Sequence, residues 1–171
     1  MSSTTSEAST GTTPTSFVLI GLLRVGVALL WIENVGWKRP PDFSSLHRYT
    51  DDAVDHPVLA PYSWLVTHLV LPHFTFFAWA TLAVESCLGV FLLLGLATRF
   101  WALVGVAQSV VITLSVLNAP NEWEWSYYLM ILVHLGVFAA AAGRSYGLDA
   151  ALRPRWRTSG GSFSRLLLKA S

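Results

Sequence analysis

Four stretches of the sequence, 17–37, 73–97, 100–117 and 125–142, stay predominantly apolar. Each has about the 20 residues that a helix, rising about 1.5 Å per residue, needs to cross a bilayer. In lipid every backbone N–H and C=O must be satisfied within the protein, so such segments are helices. The composition agrees. Of 171 residues 12% are charged and 53% hydrophobic, about half the charged share of a soluble domain. That leaves too little charge to cover a water-facing surface and too much apolar content for disorder. Eight Trp suit the membrane–water interface. The predicted fold is all-α, an integral membrane four-helix bundle in the cell (plasma) membrane, multi-pass.

The second and third spans are separated only by Thr98-Arg99, which forces a helical hairpin. With four crossings, the termini and this turn share one side. That side carries Arg99, Arg144, Arg153, Arg155, Arg157, Arg165 and Lys169, against Lys38, Arg39 and Arg48 on the other. The excess of Arg and Lys places both termini in the cytoplasm. Residues 1–16, Ser/Thr-rich and without a base, read as a disordered cytoplasmic tail; 17–151 form the membrane domain, and 152–171 a basic cytoplasmic tail that touches lipid headgroups. The outer loop, 38–72, is polar in its first half. Its second half is apolar between Pro61 and Pro72 and too short to span, so a short interfacial or re-entrant helix is expected there.

Ionisable side chains inside a membrane cost about 2.5–3.5 kcal/mol each at the centre, which makes them the informative positions. Arg24, Glu85, Gln108 and His134 come from different spans and fall within a layer about 8 Å thick at about 1.5 Å per residue. Ala78, Thr81, Glu85 and Gly89 recur every three or four residues, a small and polar stripe suited to helix contact. Tyr127 shares a helix face with His134, and Trp31 shares one with Arg24. The simplest pairing joins Arg24 to Glu85, since a paired buried charge costs less than a lone one. The layer is then either a structural clamp or the lining of a cavity for a polar headgroup or a proton. In the cavity reading Glu85 and His134 exchange protons, while Arg24, Gln108, Tyr127 and Trp31 bind the headgroup. Glu33, Asn34, Lys38 and His73 form an outer layer of candidates.

Several chemistries are excluded. Cys87 is the single cysteine, so the chain offers no internal disulfide, thiolate zinc site or iron–sulfur cluster. One deep histidine cannot supply both axial ligands of a haem, and CxxCH, phosphate-loop and dinucleotide motifs are missing. His68 and His73 are five apart with Pro72 between them, and no metal site is expected. A net charge of +1 gives no nucleic-acid footprint.

Three segments carry a family resemblance: Leu23-Arg24-Val25-Gly26-Val27-Ala28 in the first span, Glu85-Ser86-Cys87-Leu88-Gly89-Val90 with Leu94-Gly95-Leu96-Ala97-Thr98-Arg99 in the second, and Gly143-Arg144-Ser145-Tyr146-Gly147-Leu148-Asp149-Ala150 after the fourth. In this order they resemble the DoxX/DoxD-like family of four-helix membrane proteins, from about Leu19 to Ala151. The DoxD type is similar to the small membrane subunit of thiosulfate:quinone oxidoreductase, which works with a separate DoxA subunit. The resemblance therefore implies a membrane redox assembly with partner subunits, the lipid bilayer and a quinone as its associates. Three functions stand open: a quinone-linked oxidoreductase subunit whose polar layer binds the headgroup or handles its protons, a non-catalytic accessory subunit, and a small transporter.

Overall fold

A computed structural model describes residues 13–171. The expectation of a disordered 1–16 lies outside the described residues up to position 12; beyond it the chain is already helical. Helix α1 spans Pro14–Val35 and opens three residues before the expected span. Thr13 caps it, its Oγ1 accepting from the Ser16 N–H at 3.3 Å, and Pro14 sits in the first turn, where its missing N–H has no intrahelical partner to lose.

Helix α2, Ser44–Asp55, and α3, Ala60–Leu65, follow. The chain then widens into a π turn, Val66–Val70, tightens into a 3-10 turn, Leu71–His73, and continues as α4, Phe74–Leu94. The expected separate helix bounded by Pro61 and Pro72 is thus corrected to a run that stays helical over Ala60–Leu94. Pro72 cannot donate to the preceding turn, and the irregular turns around it absorb that loss as a change of winding instead of a stop. Gly95, in the left-handed region at φ 67°, ends α4 and lets the chain reverse into α5, Thr98–Val116. Then come α6, Glu124–Ala139, a 3-10 turn at Ala142–Arg144, α7, Leu148–Ser159, and α8, Ser162–Ala170. The basic tail is therefore two helices. No strand occurs among the described residues.

Pro14–Val35, Ala60–Leu94 and Thr98–Val116 are long and apolar enough to cross a membrane. Helix α6 is apolar but has 16 residues, a rise of about 24 Å against a hydrocarbon core of about 30 Å. The protein is a membrane protein by these helices, and its solvent pattern is inverted accordingly. Leu19, Leu22, Leu30, Phe76 and Leu132 point outward, while Arg24, Glu85, Ser109, His134 and Asp149 are buried. α1 lies along α4 and α5 along α6. Val27, Ala28, Trp31, Leu88, Leu92, Ala102 and Val137 join these four helices in one buried cluster. This cluster fills the half of the molecule nearest the 95–98 turn. Above it, α2 and α3 fold over the other half, α3 reaching α5 through Tyr62 and the α2–α3 connection through Asn118, whose Nδ2 donates to the Pro57 carbonyl at 3.0 Å.

Candidate functional site

A cavity of about 570 Å³ lies in that other half, bounded by the C-terminal end of α1 and by α2, α3, α4, α5 and α6. Its walls are mostly apolar, with Leu65, Val70, Phe77, Val84 and Ile112 among them. The residues that line it on α4 run from Phe74 to Glu85 and on α5 from Gln108 to Val116. The chain reverses between α4 and α5, so Glu85 and Gln108 stand together at the closed end.

Glu85 is fully buried. Its carboxylate meets Lys38 Nζ at 2.6 Å and accepts from Asn34 Nδ2 at 3.2 Å and Gln108 Nε2 at 3.1 Å. The expected pairing of Arg24 with Glu85 is corrected: the cation is Lys38. Lys38 lies one turn past the end of α1, and its long side chain carries the ammonium inward, where it also donates to the Asn34 carbonyl at 3.1 Å and sits 4.0 Å from the Trp37 ring centre. Trp37 Nε1 donates to Asn34 Oδ1 at 3.0 Å and so orients that amide toward the carboxylate. Two of the outer-layer residues, Asn34 and Lys38, thereby belong to the same site as Glu85. The other two do not: Glu33 is exposed, and His73 is exposed with Nδ1 on the Leu69 carbonyl at 3.0 Å.

Lys38 has three N–H donors, of which the carboxylate and one carbonyl take two; Gln108 and Asn34 each place one of two amide hydrogens on Glu85. Each of the three lines the cavity and keeps a further N–H for whatever enters. At the far end Tyr127 donates to Glu122, and Tyr62 donates to Ser115 Oγ at 2.8 Å, which in turn donates to the Val111 carbonyl at 2.9 Å. The cavity is thus apolar along its length with hydrogen-bonding groups at both ends. Tyr49 and Tyr62 were not singled out by sequence reasoning. The signal was available, since Leu46, Tyr49, Thr50 and Ala53 fall at helical spacing on one face of α2.

The remaining expected residues lie elsewhere. His134 is buried outside the cavity, its Nε2 accepting from Trp31 Nε1 at 2.8 Å and its Nδ1 on the Met130 carbonyl at 2.6 Å. An indole only donates, so the imidazole is neutral with its proton on Nδ1, and both nitrogens are occupied. The ring rests on Gly105, where a Cβ would lie 2.1 Å from its Cδ2. Trp31 is therefore the partner of His134 and does not line the cavity. Arg24 turns the opposite way from Glu85 and donates from Nη1 to the Leu92 and Leu93 carbonyls at 2.5 and 2.7 Å. These close the C-terminal end of α4, where a cation is favourable. Asp149 completes that end: its carboxylate accepts from the Ala97 and Thr98 N–H groups at 2.8 and 2.9 Å, at the start of α5. The segment Gly143–Asp149 is thus a stitch across the α4–α5 turn, and Gly143 is required because a Cβ there would lie 2.1 Å from Thr98 Oγ1 and 2.2 Å from Asp149 Oδ2.

A family model described as TQO small subunit DoxD matches residues 58–169. No curated protein and no solved structure matches the chain significantly. The matched region contains Glu85, Gln108, Tyr62 and Tyr127 of the cavity together with the Asp149 stitch; Asn34 and Lys38 precede it.

Proposed function

Because this chain belongs to the DoxD family, we propose that it is a membrane subunit of a thiosulfate:quinone oxidoreductase-like assembly and that its cavity seats a quinone ring. The observation that carries this reading is the Glu85–Lys38 pair at the closed end of a 570 Å³ apolar cavity. A quinone ring has apolar faces and two opposed carbonyls. The cavity offers apolar walls, further N–H donors on Lys38, Gln108 and Asn34 at one end, and Tyr127, Glu122 and Tyr62 at the other. A bound quinone supplies the acceptor for two electrons and two protons, the electrons reaching it from an electron donor through a partner subunit. Lys38 would orient the carbonyl at the closed end and give it one proton, Glu85 holding the ammonium in place and handing Lys38 a replacement proton taken from solvent; the second proton would reach the far carbonyl from solvent by way of Glu122 and Tyr127. His134, with both nitrogens engaged, takes no part in this chemistry.

The same reading makes α6 the fourth crossing of a four-helix bundle, since it runs along α5 and shares the buried cluster with α1. Both termini then face the cytoplasm of a plasma-membrane protein, with α2 and α3 on the outer side. The apolar cluster below Glu85 offers no continuous polar path, which favours a binding site over a transporter.

The test is quinone binding and donor-driven quinone reduction in membranes carrying Glu85→Gln or Lys38→Met. Reduction per folded molecule is expected to fall by about 100-fold or more, within the range of a lost general acid–base group. Unchanged binding and reduction in both variants would instead establish a non-catalytic accessory subunit.

A further inference from the structure

Helices α7 and α8 carry a second feature, independent of the cavity. Residues 150–171 contain Arg153, Arg155, Arg157, Arg165 and Lys169 and no Asp or Glu. Arg153 is used internally, its Nη1 donating to the Leu168 and Ser171 carbonyls at 3.0 and 3.1 Å; Arg144 also donates to Ser171, at 3.0 Å. Arg155, Arg157, Arg165 and Lys169 are exposed, with no acidic partner among the described residues.

Helix α8 divides into three faces. Ser164, Leu168 and Ser171, spaced by four and three, turn toward the body of the protein, Ser164 and Ser171 being buried. Phe163, Leu166, Leu167 and Ala170 form an apolar ridge, with Phe163 71% and Leu166 62% exposed. Arg165 and Lys169, one turn apart, flank it. The position of the helix is fixed by the bonds of Arg144 and Arg153 and by its contact with α5. Arg144 and Asp149 belong to the stitch at the start of α5, so α8 is fastened at the N-terminal end of a helix long and apolar enough to cross a membrane.

We propose that α8 lies in the headgroup layer as an interfacial helix for anionic lipid. Phe163 and Leu166 enter the acyl boundary, and Arg165 and Lys169, with Arg155 and Arg157 of α7, hold the anionic headgroups. The charge pattern decides between occupants. Uncompensated cations one turn apart, Arg165 and Lys169, beside an apolar ridge fit a surface that is itself anionic outside and apolar inside. Each base near such a surface multiplies the bound population by roughly five-fold, and raised salt weakens it.

The experiment uses the full chain in nanodiscs of phosphatidylcholine alone or with about one third phosphatidylglycerol, a share that gives a strongly anionic surface. In a Cys87→Ser background, a single cysteine replaces Leu166 and carries an environment-sensitive fluorophore. The expected result is a blue-shifted emission and a several-fold lower quenching by an aqueous quencher in the anionic discs. Both effects should shrink at about 1 M salt, where the screening length is about 3 Å. They should vanish in Arg155→Gln, Arg157→Gln, Arg165→Gln and Lys169→Gln combined, surface changes that leave the bundle intact. A label equally quenched in both discs overturns the proposal and leaves the ridge as a face for a protein partner. A label equally protected in both discs and in detergent also overturns it, because protein rather than lipid then covers the helix.

Discussion

The two ends of the bundle bury polar groups in opposite ways. At the end near the 95–98 turn, Asp149 holds two backbone N–H groups and Arg24 holds two carbonyls, and a little deeper His134 has both nitrogens engaged. At the other end Lys38, Gln108 and Asn34 also bond to Glu85, yet each has a further N–H and lines an open cavity. Buried polarity inside a membrane thus marks a binding site only when hydrogen-bonding capacity is left over beside empty space. At the 95–98 end Arg24 Nε and Thr98 Oγ1 are also left without partners among the described residues, but they are buried away from the cavity, and the residues there act as fasteners.

The sharpest way to break this contrast is to strand the charge in the cavity. Lys38→Met leaves Glu85 buried without its cation, and the expected loss is about 3–5 kcal/mol of stability. Combining Lys38→Met with Glu85→Leu removes both charges and should restore most of it. Thermal unfolding of the purified protein in detergent, followed by tryptophan fluorescence, checks both. Quinone affinity should be lost in the double variant although its stability returns. A double variant as unstable as the single one would mean that the pair is needed for the fold itself.

At the opposite end, stability and ligand affinity should separate the other way. Asp149→Ala removes two charge-assisted hydrogen bonds from the start of α5, for an expected cost of about 3 kcal/mol. His134→Leu leaves the Trp31 N–H without its acceptor, a cost of about 2 kcal/mol. In both variants, quinone affinity per folded molecule and the pH profile of quinone reduction should be unchanged. Isothermal titration with a soluble short-chain quinone checks the first, and a rate series across pH the second. A shifted pH profile in His134→Leu would bring that histidine back into the proton path.

How much of this was legible in the sequence depended on side-chain length. Short groups stayed where their backbone depth placed them: Glu85 and Gln108 were expected at one level and do meet. The Ala78–Gly89 stripe was expected to face inward, and Ala78, Glu85 and Gly89 are buried. Long cations did not. Arg24 and Lys38 each project several ångströms from their Cα positions, and each moved to the nearest negative end. For Lys38 that end was the carboxylate, and for Arg24 it was the carbonyl terminus of α4. Depth counted along the helix axis therefore assigned Glu85 the wrong cation. The cover was illegible for another reason. α2 has a readable apolar face, but nothing in the sequence tells which helices it lies across; Tyr62 on Ser115 is a contact between residues 53 apart.

That contact yields the smallest expected effect and the finest test of how the cavity is reached. Tyr62 holds α3 against α5 through its hydroxyl, 2.8 Å from Ser115 Oγ and 3.4 Å from the Val111 carbonyl, with Asn118 on Pro57 as a second clasp nearby. Tyr62→Phe keeps the ring and its packing and deletes only the hydroxyl, so stability should fall by about 1 kcal/mol. If the ligand enters under α3, the same loss raises the population of the lifted cover by roughly five-fold at about 1.4 kcal/mol per tenfold. Association and dissociation rates should then rise together, leaving affinity nearly constant. Stopped-flow quenching of the cavity's Trp37 by a short-chain quinone measures both rates. Entry sideways between the helices predicts a different pattern: the stability loss appears, and neither rate moves. Rates that rise in Tyr62→Phe and rise further with Asn118→Ala would make the two clasps one cover over the cavity, and would set the outer half apart from the fastened half by its motion as well as by its open space.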